Sequence, residues 1–205
     1  KNIIFDLGQV LLDLDKKKCL DAFSEAGFTT AGELLEQNKR NQLFGAYECG
    51  DITSAEFRNA VRSMCTTACS DNEIDAIWNA MLVAIPIEKL HFLIELRKRY
   101  KVCLLSNTNK IHWDYIVANF FEQQGIKPEA CFDYIFLSYK MKEKKPNSAI
   151  YQKALETGNM KPEETLFIDD LKENCQAAAA LGIQTIHLTP GSSLPAVVSS
   201  FLTTL

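Results

Sequence analysis

Five short segments of the chain are apolar at almost every position, and longer stretches of mixed apolar and polar residues separate them. Short runs rich in β-branched and aromatic residues are typical of strands covered on both faces, as in a parallel sheet. We therefore predict strands at residues 3–5, 102–105, 134–137, 165–168 and 183–187.

The stretches between these strands have the features of helices. Pro86 suits the first position of a helix, ahead of Leu90, Leu93 and Leu96. Helices are also predicted over residues 145–155 and 173–181, with Gly182 placed to end the second. A loop after Pro190 leads into a terminal helix. This alternation of strands and helices predicts an α/β fold with a doubly wound parallel sheet.

Residues 16–85 depart from this alternation, because their pattern predicts helices alone. Residues 53–56 (Thr-Ser-Ala-Glu) and 70–73 (Ser-Asp-Asn-Glu) are capping boxes. After Ser70 the apolar residues recur at helical spacing, at Ile74, Ile77, Trp78, Met81 and Leu82. We predict a four-helix insertion after the first strand, with residues 1–15 and 86–205 forming the α/β core.

Composition and charge exclude several classes of protein. Of 205 residues, 47% are hydrophobic and 23% charged, which excludes a disordered or collagen-like chain. No apolar run approaches the ~20 residues that span a bilayer, and the first residues do not resemble a secretory signal. A net charge of −4 with scattered basic residues predicts no nucleic-acid partner. Seven cysteines without a CxxC pair predict buried thiols and a cytoplasmic location. Monomer and homodimer both remain open.

Polar residues suited to catalysis follow the predicted strands. They are Asp6 after the first strand, Ser106 and Asn107 after the second, Lys145 shortly after the third, and Asp169 and Asp170 after the fourth. Ligands of open parallel sheets bind beyond the carboxyl ends of the strands, so we expect these side chains at one edge. Singly, each has an ordinary structural interpretation as a turn former, a helix cap or a surface lysine. Their joint occurrence after successive strands favours a functional site.

The chemical types in this set indicate phosphoryl transfer. Clustered carboxylates repel one another unless a cation lies among them, and an all-oxygen set suits Mg²⁺. Ser106, Asn107 and Lys145 offer hydrogen-bond donors and a positive charge to an anion that faces the metal. A carboxylate, a hard metal and a phosphate cradle together favour transfer of a phosphoryl group to an aspartate.

Four ordered motifs carry a resemblance to a known family. They are residues 3–11 (Ile-Ile-Phe-Asp-Leu-Gly-Gln-Val-Leu), 104–109 (Leu-Leu-Ser-Asn-Thr-Asn), 145–151 (Lys-Pro-Asn-Ser-Ala-Ile-Tyr) and 166–174 (Leu-Phe-Ile-Asp-Asp-Leu-Lys-Glu-Asn). Over essentially its whole length the sequence resembles the haloacid dehalogenase (HAD) superfamily of aspartate-nucleophile hydrolases. Within it, the chain is most similar to small bacterial phosphatases that act on glucose 1-phosphate, through residues 6–15, 47–52 and 107–109, and His112. The resemblance implies a HAD-like, Rossmannoid core and a helical cap formed by residues 16–85.

The resemblance also implies a nucleophile and a metal site. Asp6 becomes the aspartyl-phosphate and is a Mg²⁺ ligand. The backbone carbonyl of Gly8 and the carboxylate of Asp170 are further ligands, and Asp169 acts directly or through a bound water. The cap closes over the site, selects the substrate and excludes water.

The same resemblance assigns the phosphate-binding groups. Ser106, Asn107 and Lys145 hold the phosphoryl oxygens, and Lys145 also screens the nucleophile. The predicted activity is Mg²⁺-dependent hydrolysis of a small phosphorylated substrate, a sugar phosphate such as a hexose 1-phosphate.

Gly8 departs from the pattern of the family, because most phosphatases of the superfamily have an aspartate there as general acid and base. A positioned acid or base contributes ~10²–10⁴-fold to a rate, so its loss needs compensation. We expect the substrate to compensate in part, since an anomeric oxygen leaves more easily than an ordinary alkoxide. His112, Glu48 and Tyr47 are candidates to replace the missing group, and for each the structural interpretation is preferred.

Two other functions compete with the phosphatase. A 2-haloacid dehalogenase would also use Asp6 as nucleophile, and Arg40 lies roughly where those enzymes bind halide. The pair Asp169-Asp170 argues against it, because halide displacement needs no cation. A catalytically weak protein that binds a phosphorylated ligand is the second competitor, although such a protein would not need the nucleophile.

Overall fold

The computed structural model describes residues 1–27, 39–64 and 68–203, and seven strands lie in these ranges. They are β1 (Asn2–Phe5), β2 (Asp13–Leu14), β3 (Leu82–Ala84), β4 (Lys101–Ser106), β5 (Tyr134–Leu137), β6 (Thr165–Asp169) and β7 (Gln184–His187). Five of them form a parallel sheet in the order β5-β4-β1-β6-β7. The central β1 pairs in register with both neighbours, so that Ile4 lies opposite Cys103 and Phe167. All five strands that the sequence predicts are therefore confirmed, the last beginning one residue later.

Eleven α-helices are described. They are α1 (Lys16–Glu25), α2 (Lys39–Glu48), α3 (Ser54–Arg62), α4 (Asp71–Asn79), α5 (Ile87–Arg97), α6 (Lys110–Ile116), α7 (Pro128–Cys131), α8 (Ser138–Met141), α9 (Ser148–Thr157), α10 (Lys172–Ala179) and α11 (Leu194–Thr203). The structure also contains three short helical segments of other types: a π-helical turn at Val117–Phe121 and 3-10 turns at Glu122–Gln124 and Pro162–Glu164. No helix in the described ranges combines the length and the apolar character needed to cross a membrane.

Helices cover both faces of the parallel sheet. Successive side chains of a strand point to opposite faces. Ile3 and Phe5 accordingly pack in one hydrophobic cluster with residues of α5, α6 and α11, and Ile4 packs in another with residues of α9 and α10. The predicted fold class, an α/β core with a doubly wound parallel sheet, is confirmed.

Helices α1–α4 share a hydrophobic cluster, which Ile111 of α6 joins from the core. Its centre is aromatic: the ring centroids of Phe44 and Trp78 lie 4.8 Å apart, and those of Tyr47 and Phe57 lie 4.4 Å apart. Such stacked pairs add to the stabilisation that burial of their area gives. We call residues 16–85 the helical insertion. Its residues 28–38 and 65–67 lie outside the described residues, as does the side chain of Arg40.

Both predicted capping boxes are confirmed. The Thr53 hydroxyl accepts a hydrogen bond from the Glu56 backbone N–H (3.2 Å), and the Glu56 carboxylate accepts one from that of Thr53 (2.7 Å). Ser70 and Glu73 repeat the arrangement at the start of α4. These caps satisfy backbone donors that a helix start leaves unpaired.

Two sequence predictions of helix extent are wrong. Residues 16–85 are not helical throughout, because α4 ends at Asn79 and β3 pairs antiparallel with β2, placing Leu82 opposite Leu14. The apolar spacing that assigned Leu82 to a helix instead reflects its burial in the core. The helix predicted from Lys145 begins at Ser148, because Lys145 precedes a proline, which disfavours helical backbone, and the Asn147 side chain caps α9.

Candidate active site

Three neighbouring strands place polar groups at the same edge of the sheet. Asp6 directly follows β1, Ser106 ends β4 and Asp169 ends β6, and β1 lies between the other two strands. The strands are parallel, so their carboxyl ends coincide. All three residues are buried. The structure thus brings together residues that are more than 160 positions apart in the sequence.

Lys145 joins this edge from the segment before α9. Its ammonium nitrogen lies 2.6 Å from Oδ1 of Asp6 and 2.7 Å from Oδ2 of Asp169. The Lys145 side chain is only 1% exposed. Removing a charge from water costs several kcal/mol unless it is well paired, so two carboxylate partners explain how a buried ammonium is tolerated.

Burial and mutual charge set the protonation of these groups. Burial raises the pKa of Asp6 to about 6; Lys145 opposes this rise and the charge of Asp169 adds to it. Burial by itself lowers the pKa of Lys145, but the charges of Asp6 and Asp169 outweigh it and raise that pKa. Lys145 is therefore an ammonium at neutral pH. A metal ion beside Asp6 would favour its charged form and lower the pKa of Asp6 again.

Asp169 is held by hydrogen bonds from the start of α10. Its Oδ1 accepts the backbone N–H of Leu171 at 2.8 Å, and the Asn174 side-chain amide donates to both its oxygens at 3.0 Å. The backbone carbonyl of Asn174 in turn accepts the hydroxyl of Tyr151 at 3.0 Å. Sequence reasoning quoted Asn174 in a motif without giving it a role. Its position five residues after Asp169, at the first turn of a helix, was the available signal.

A cluster of carboxylates suits a metal ion. Oxygen atoms of Asp6, Asp169 and Asp170 lie within 4.8 Å of one another. Asp170 is partly exposed, and burial, together with the charge of Asp169, raises its pKa. Three carboxylates face the ammonium of Lys145, and Lys16 adds a weaker positive charge at Asp170, so negative charge is in excess among the described residues of the site. The all-oxygen donor set and this charge fit Mg²⁺, and Gly8 follows two residues after Asp6 in the adjoining turn.

The Asn107 side chain fixes the backbone of Lys145. Its Oδ1 accepts the Lys145 backbone N–H at 2.8 Å, and its Nδ2 donates to the Lys145 carbonyl at 2.9 Å. Ser106 stands directly before it at the end of β4. The structure thus places both predicted phosphate-binding residues at the site, and it adds a positioning contact that the sequence did not indicate.

A cavity of about 330 Å³ separates the helical insertion from this edge of the core. On the core side Gly8, Ser106 and Asn107 line it, and the carboxylates and Lys145 are not among its lining residues. Asn107 is hydrogen-bonded to the Lys145 backbone, so the cavity borders the site through these neighbours. The insertion side is mostly apolar. Among the described lining residues there, Lys16 and Glu48 carry a charge. This volume is at the low end of ligand pockets and suits a small molecule.

His112 is fixed by hydrogen bonds on both ring nitrogens. Nε2 lies 3.0 Å from the Trp78 carbonyl oxygen, which only accepts, so Nε2 carries the proton. Nδ1 then accepts from the Asn109 side-chain amide at 3.3 Å. Burial lowers the pKa of His112 to about 4, with the Trp78 carbonyl opposing the shift. His112 is therefore neutral at pH 7, and this arrangement favours its structural interpretation.

Tyr47 is held in the same way at the contact between insertion and core. Its hydroxyl oxygen accepts the backbone N–H of Ile111 at 3.2 Å and lies 2.7 Å from the Ser54 hydroxyl. Burial raises the pKa of Tyr47. Glu48 differs from both because its side chain is 32% exposed, and it lines the cavity, as His112 also does.

Comparison with known proteins identifies the family. The family model for haloacid dehalogenase-like hydrolases matches residues 3–188. D-ribitol-5-phosphate phosphatase of Bacteroides thetaiotaomicron is 30% identical over 192 residues, which cover 94% of this chain and 93% of that protein.

Solved structures agree with this assignment. A HAD family enzyme from Bacteroides thetaiotaomicron, crystallised with magnesium and inorganic phosphate, is 42% identical with a TM-score of 0.89, covering 94% of this chain and 96% of that one. A predicted HAD-like family hydrolase from Porphyromonas gingivalis is 31% identical with a TM-score of 0.90, and the match covers 98% of this chain and 97% of that one.

The predicted enzyme class, a phosphatase, and the predicted cofactor, Mg²⁺, are confirmed by these relatives. The match over nearly the whole chain leaves one conclusion: this protein belongs to the family of haloacid dehalogenase-like hydrolases.

Proposed function

We propose that this protein hydrolyses small sugar or polyol phosphates by transferring their phosphoryl group to Asp6. The observation that carries the proposal is the buried contact of Lys145 with Asp6 and Asp169, next to a cavity that Ser106 and Asn107 line. The Lys145 ammonium offsets part of the negative charge around the nucleophile without forming a covalent bond. An incoming phosphoryl group therefore meets a positive charge as well as the attacking oxygen.

The reaction divides into two displacements at phosphorus. A carboxylate oxygen of Asp6 attacks phosphorus, the bond to the ester oxygen breaks, and the released alkoxide takes a proton from water. Water then attacks phosphorus of the aspartyl-phosphate, loses a proton to solvent and releases inorganic phosphate, and the Asp6 carboxylate is restored. The Ser106 hydroxyl and Asn107 donate hydrogen bonds to the phosphoryl oxygens in both steps.

Asp6, Asp170, Asp169 and the carbonyl of Gly8 would hold Mg²⁺. When bound, the ion supplies Lewis-acid stabilisation of the charge on the phosphoryl oxygens. Of the pair Asp169 and Asp170, we assign direct ligation to Asp170, which is partly exposed. Asp169 already accepts hydrogen bonds from Lys145, Leu171 and Asn174, which favours its acting through a water.

Gly8 bears on the identity of the substrate. A Cβ atom built on Gly8 would lie 2.9 Å from Cδ1 of Leu14, so an acidic side chain there requires Leu14 to move. With no acid at this position, we place a hexose 1-phosphate first, because its anomeric oxygen leaves more easily. A pentitol phosphate is the alternative, and the activity of the Bacteroides relative favours it.

The helical insertion would serve as the cap over the leaving group. Its apolar wall suits the carbon skeleton of a small sugar. Lys16 and Glu48, the charged groups of that wall among the described residues, suit its hydroxyls. We retain the boundaries 16–85 for the cap and 1–15 with 86–205 for the catalytic core.

A dehalogenase remains the less favoured activity. The cluster of Asp6, Asp169 and Asp170 would repel a departing halide, whereas a cation bound there would assist phosphoryl transfer.

Phosphate release from a panel of sugar, polyol and alkyl phosphates tests the proposal, with Mg²⁺ and with a chelator. We expect Mg²⁺-dependent turnover in the wild type and none above background in Asp6→Asn, because the amide is not a nucleophile. Asp13→Asn is the matched control, since Asp13 is exposed and pairs with Lys89 away from the carboxylate cluster. Turnover retained by Asp6→Asn would refute the role of Asp6. A best substrate with an ordinary alkyl leaving group would refute the argument from Gly8.

A further inference from the structure

The segment of residues 138–145, called here the lysine-bearing segment, is anchored to the active site at both ends. At one end the buried Ser138 hydroxyl accepts the backbone N–H of Thr108 and donates to the Thr108 carbonyl, both at 2.9 Å. At the other end the backbone of Lys145 makes its two hydrogen bonds with the Asn107 side chain. Both ends are therefore fixed to the loop that follows β4.

The middle of the same segment contacts the helical insertion just after α2. The Lys142 ammonium donates to the carbonyl of Gly50. The Lys144 ammonium lies 4.0 Å from the Glu48 carboxylate. The insertion thus contacts the lysine-bearing segment within three residues of Lys145.

Gly50 allows the closest part of this contact. A Cβ atom at this position would overlap the backbone carbonyl oxygen of Tyr139 and lie 3.0 Å from its carbonyl carbon. Gly50 also has φ +67°, in the left-handed region that favours glycine. Any larger residue here would hold the insertion away from the lysine-bearing segment.

We propose that docking of Gly50 on the lysine-bearing segment positions Lys145 for catalysis, which makes Gly50 a positioning residue. Lys142, which contacts Gly50, precedes Lys145 by only three residues, so a displacement of the segment by the insertion reaches the Lys145 backbone over a short stretch of chain. The Lys145 ammonium in turn lies within 2.7 Å of both Asp6 and Asp169. This inference rests on the proposed phosphatase function and adds a coupling between the insertion and the nucleophile's partner.

The variant Gly50→Ala tests the coupling, with two glycine-to-alanine controls. Gly45→Ala makes the same change inside α2, where the new Cβ meets the flexible end of Lys144 at 3.0 Å, so it touches the lysine-bearing segment through a movable side chain and not through its backbone. Gly125→Ala makes it at φ +70° with no atom within 4 Å, and so reproduces the backbone strain without the contact. A displacement of about 1 Å in a catalytic group can cost ~10²-fold in rate. We expect kcat of Gly50→Ala to fall about 10- to 100-fold and both controls to stay near wild type.

The choice of substrate separates positioning from cavity shape. A catalytic lysine acts on every phosphate ester, so we expect the same loss of kcat on the best sugar phosphate and on methyl phosphate. A loss confined to the sugar phosphate, or no loss at all, would overturn the inference. A wild type that turns over no phosphate ester would instead overturn the proposed function, and the coupling with it.

Lys142 provides a second variant if Gly50→Ala does not fold. Lys142 itself has φ +58°, so Lys142→Gly relieves backbone strain while it removes the donor to Gly50. We expect an unchanged or higher Tm together with a kcat lowered by about 10-fold, the worth of one hydrogen bond. Lys142→Arg keeps a donor and should keep kcat. Wild-type kcat in Lys142→Gly would count against the coupling.

Discussion

Lys145 is the buried positive charge that pairs with two carboxylates of the site, Asp6 and Asp169. Its ammonium and the weaker charge of Lys16 face the carboxylates of Asp6, Asp169 and Asp170, and a divalent cation would offset the negative charge that remains. Its own burial is tolerable because both of its carboxylate partners lie within 2.7 Å. The same three carboxylates without Lys145 would repel one another at close range.

His112 is a buried neutral residue whose titration opposes folding in acid. Its pKa in the folded protein is lowered by burial to about 4, from an ordinary value of ~6.5. The stability that it contributes is complete above pH ~6.5. It is lost as the pH falls toward 4, because the unfolded chain takes up a proton that the folded chain does not.

We therefore predict that His112→Gln makes the unfolding free energy less dependent on pH below neutrality. Between about pH 7.5 and about pH 5, wild type should lose ~2 kcal/mol more unfolding free energy than the variant, following the linkage relation. Urea unfolding at the two pH values measures this. His91→Gln is the control, because His91 is exposed on α5. Equal losses in wild type and His112→Gln would show that His112 is not the titrating group.

The start of helix α3 can be predicted from the sequence alone. Its capping box lies within four consecutive residues, from Thr53 to Glu56, and so needs no distant partner. The helix then carries Phe57 and Val61 into the cluster of the insertion. Losing the cap thus weakens the insertion through its helix rather than through its core.

We predict that Thr53→Ala lowers the unfolding free energy by about 1 kcal/mol, the usual value of an N-cap. Thr53→Ser retains the hydroxyl and should unfold near wild type. Chemical unfolding followed by circular dichroism would measure both variants. Equal destabilisation by alanine and serine would attribute the effect to the lost methyl group of Thr53 instead.

Strand β3 and the start of α9 show where element prediction was wrong. Leu82 fits a helical spacing after Ser70, yet it lies in a strand because β2 offers it a backbone partner. That partner is Leu14, 68 residues earlier in the sequence. Local periodicity cannot detect a pairing of this kind, whereas the proline after Lys145 was a local signal for the later helix start.

At the scale of the whole molecule, the cavity exists only because the insertion lies over the core. Gly8, Ser106 and Asn107 form one wall, and Lys16 and Glu48 belong to the other. The order of the motifs in the sequence indicates the first wall. Of the second wall, sequence reasoning singled out Glu48 but not Lys16, because which cap residues face the site depends on how its helices pack.

We predict that Glu48→Gln reduces selectivity for hydroxylated substrates. A hydrogen bond to a charged group is worth ~1.5–3 kcal/mol, so kcat/KM for the best sugar phosphate should fall about 10- to 100-fold. Methyl phosphate, which has no hydroxyl to offer, should be hydrolysed as before. Steady-state kinetics on both substrates measure the ratio.

The control for this prediction is Glu25→Gln, an exposed acid at the end of α1 in the same insertion. Glu25→Gln should leave kcat/KM unchanged for both the sugar phosphate and methyl phosphate. A parallel loss on both substrates in Glu48→Gln would point to the Lys144 contact and the docking of the insertion instead.

The sequence by itself determined the α/β core, both capping boxes and the residues gathered at the strand ends. These depend on periodicity, on short-range hydrogen bonds and on the rule that the carboxyl ends of parallel strands lie at one edge of the sheet. All three can be inferred from the sequence. The contact of Asn174 with Asp169, five positions earlier at the start of a helix, also had a local signal. Only the tertiary structure decided that Asn107 holds the Lys145 backbone and that Gly50 packs against Tyr139. These two contacts join residues 38 and 89 positions apart. Such contacts follow from the packing of whole elements, and that packing carries no local signature in the sequence.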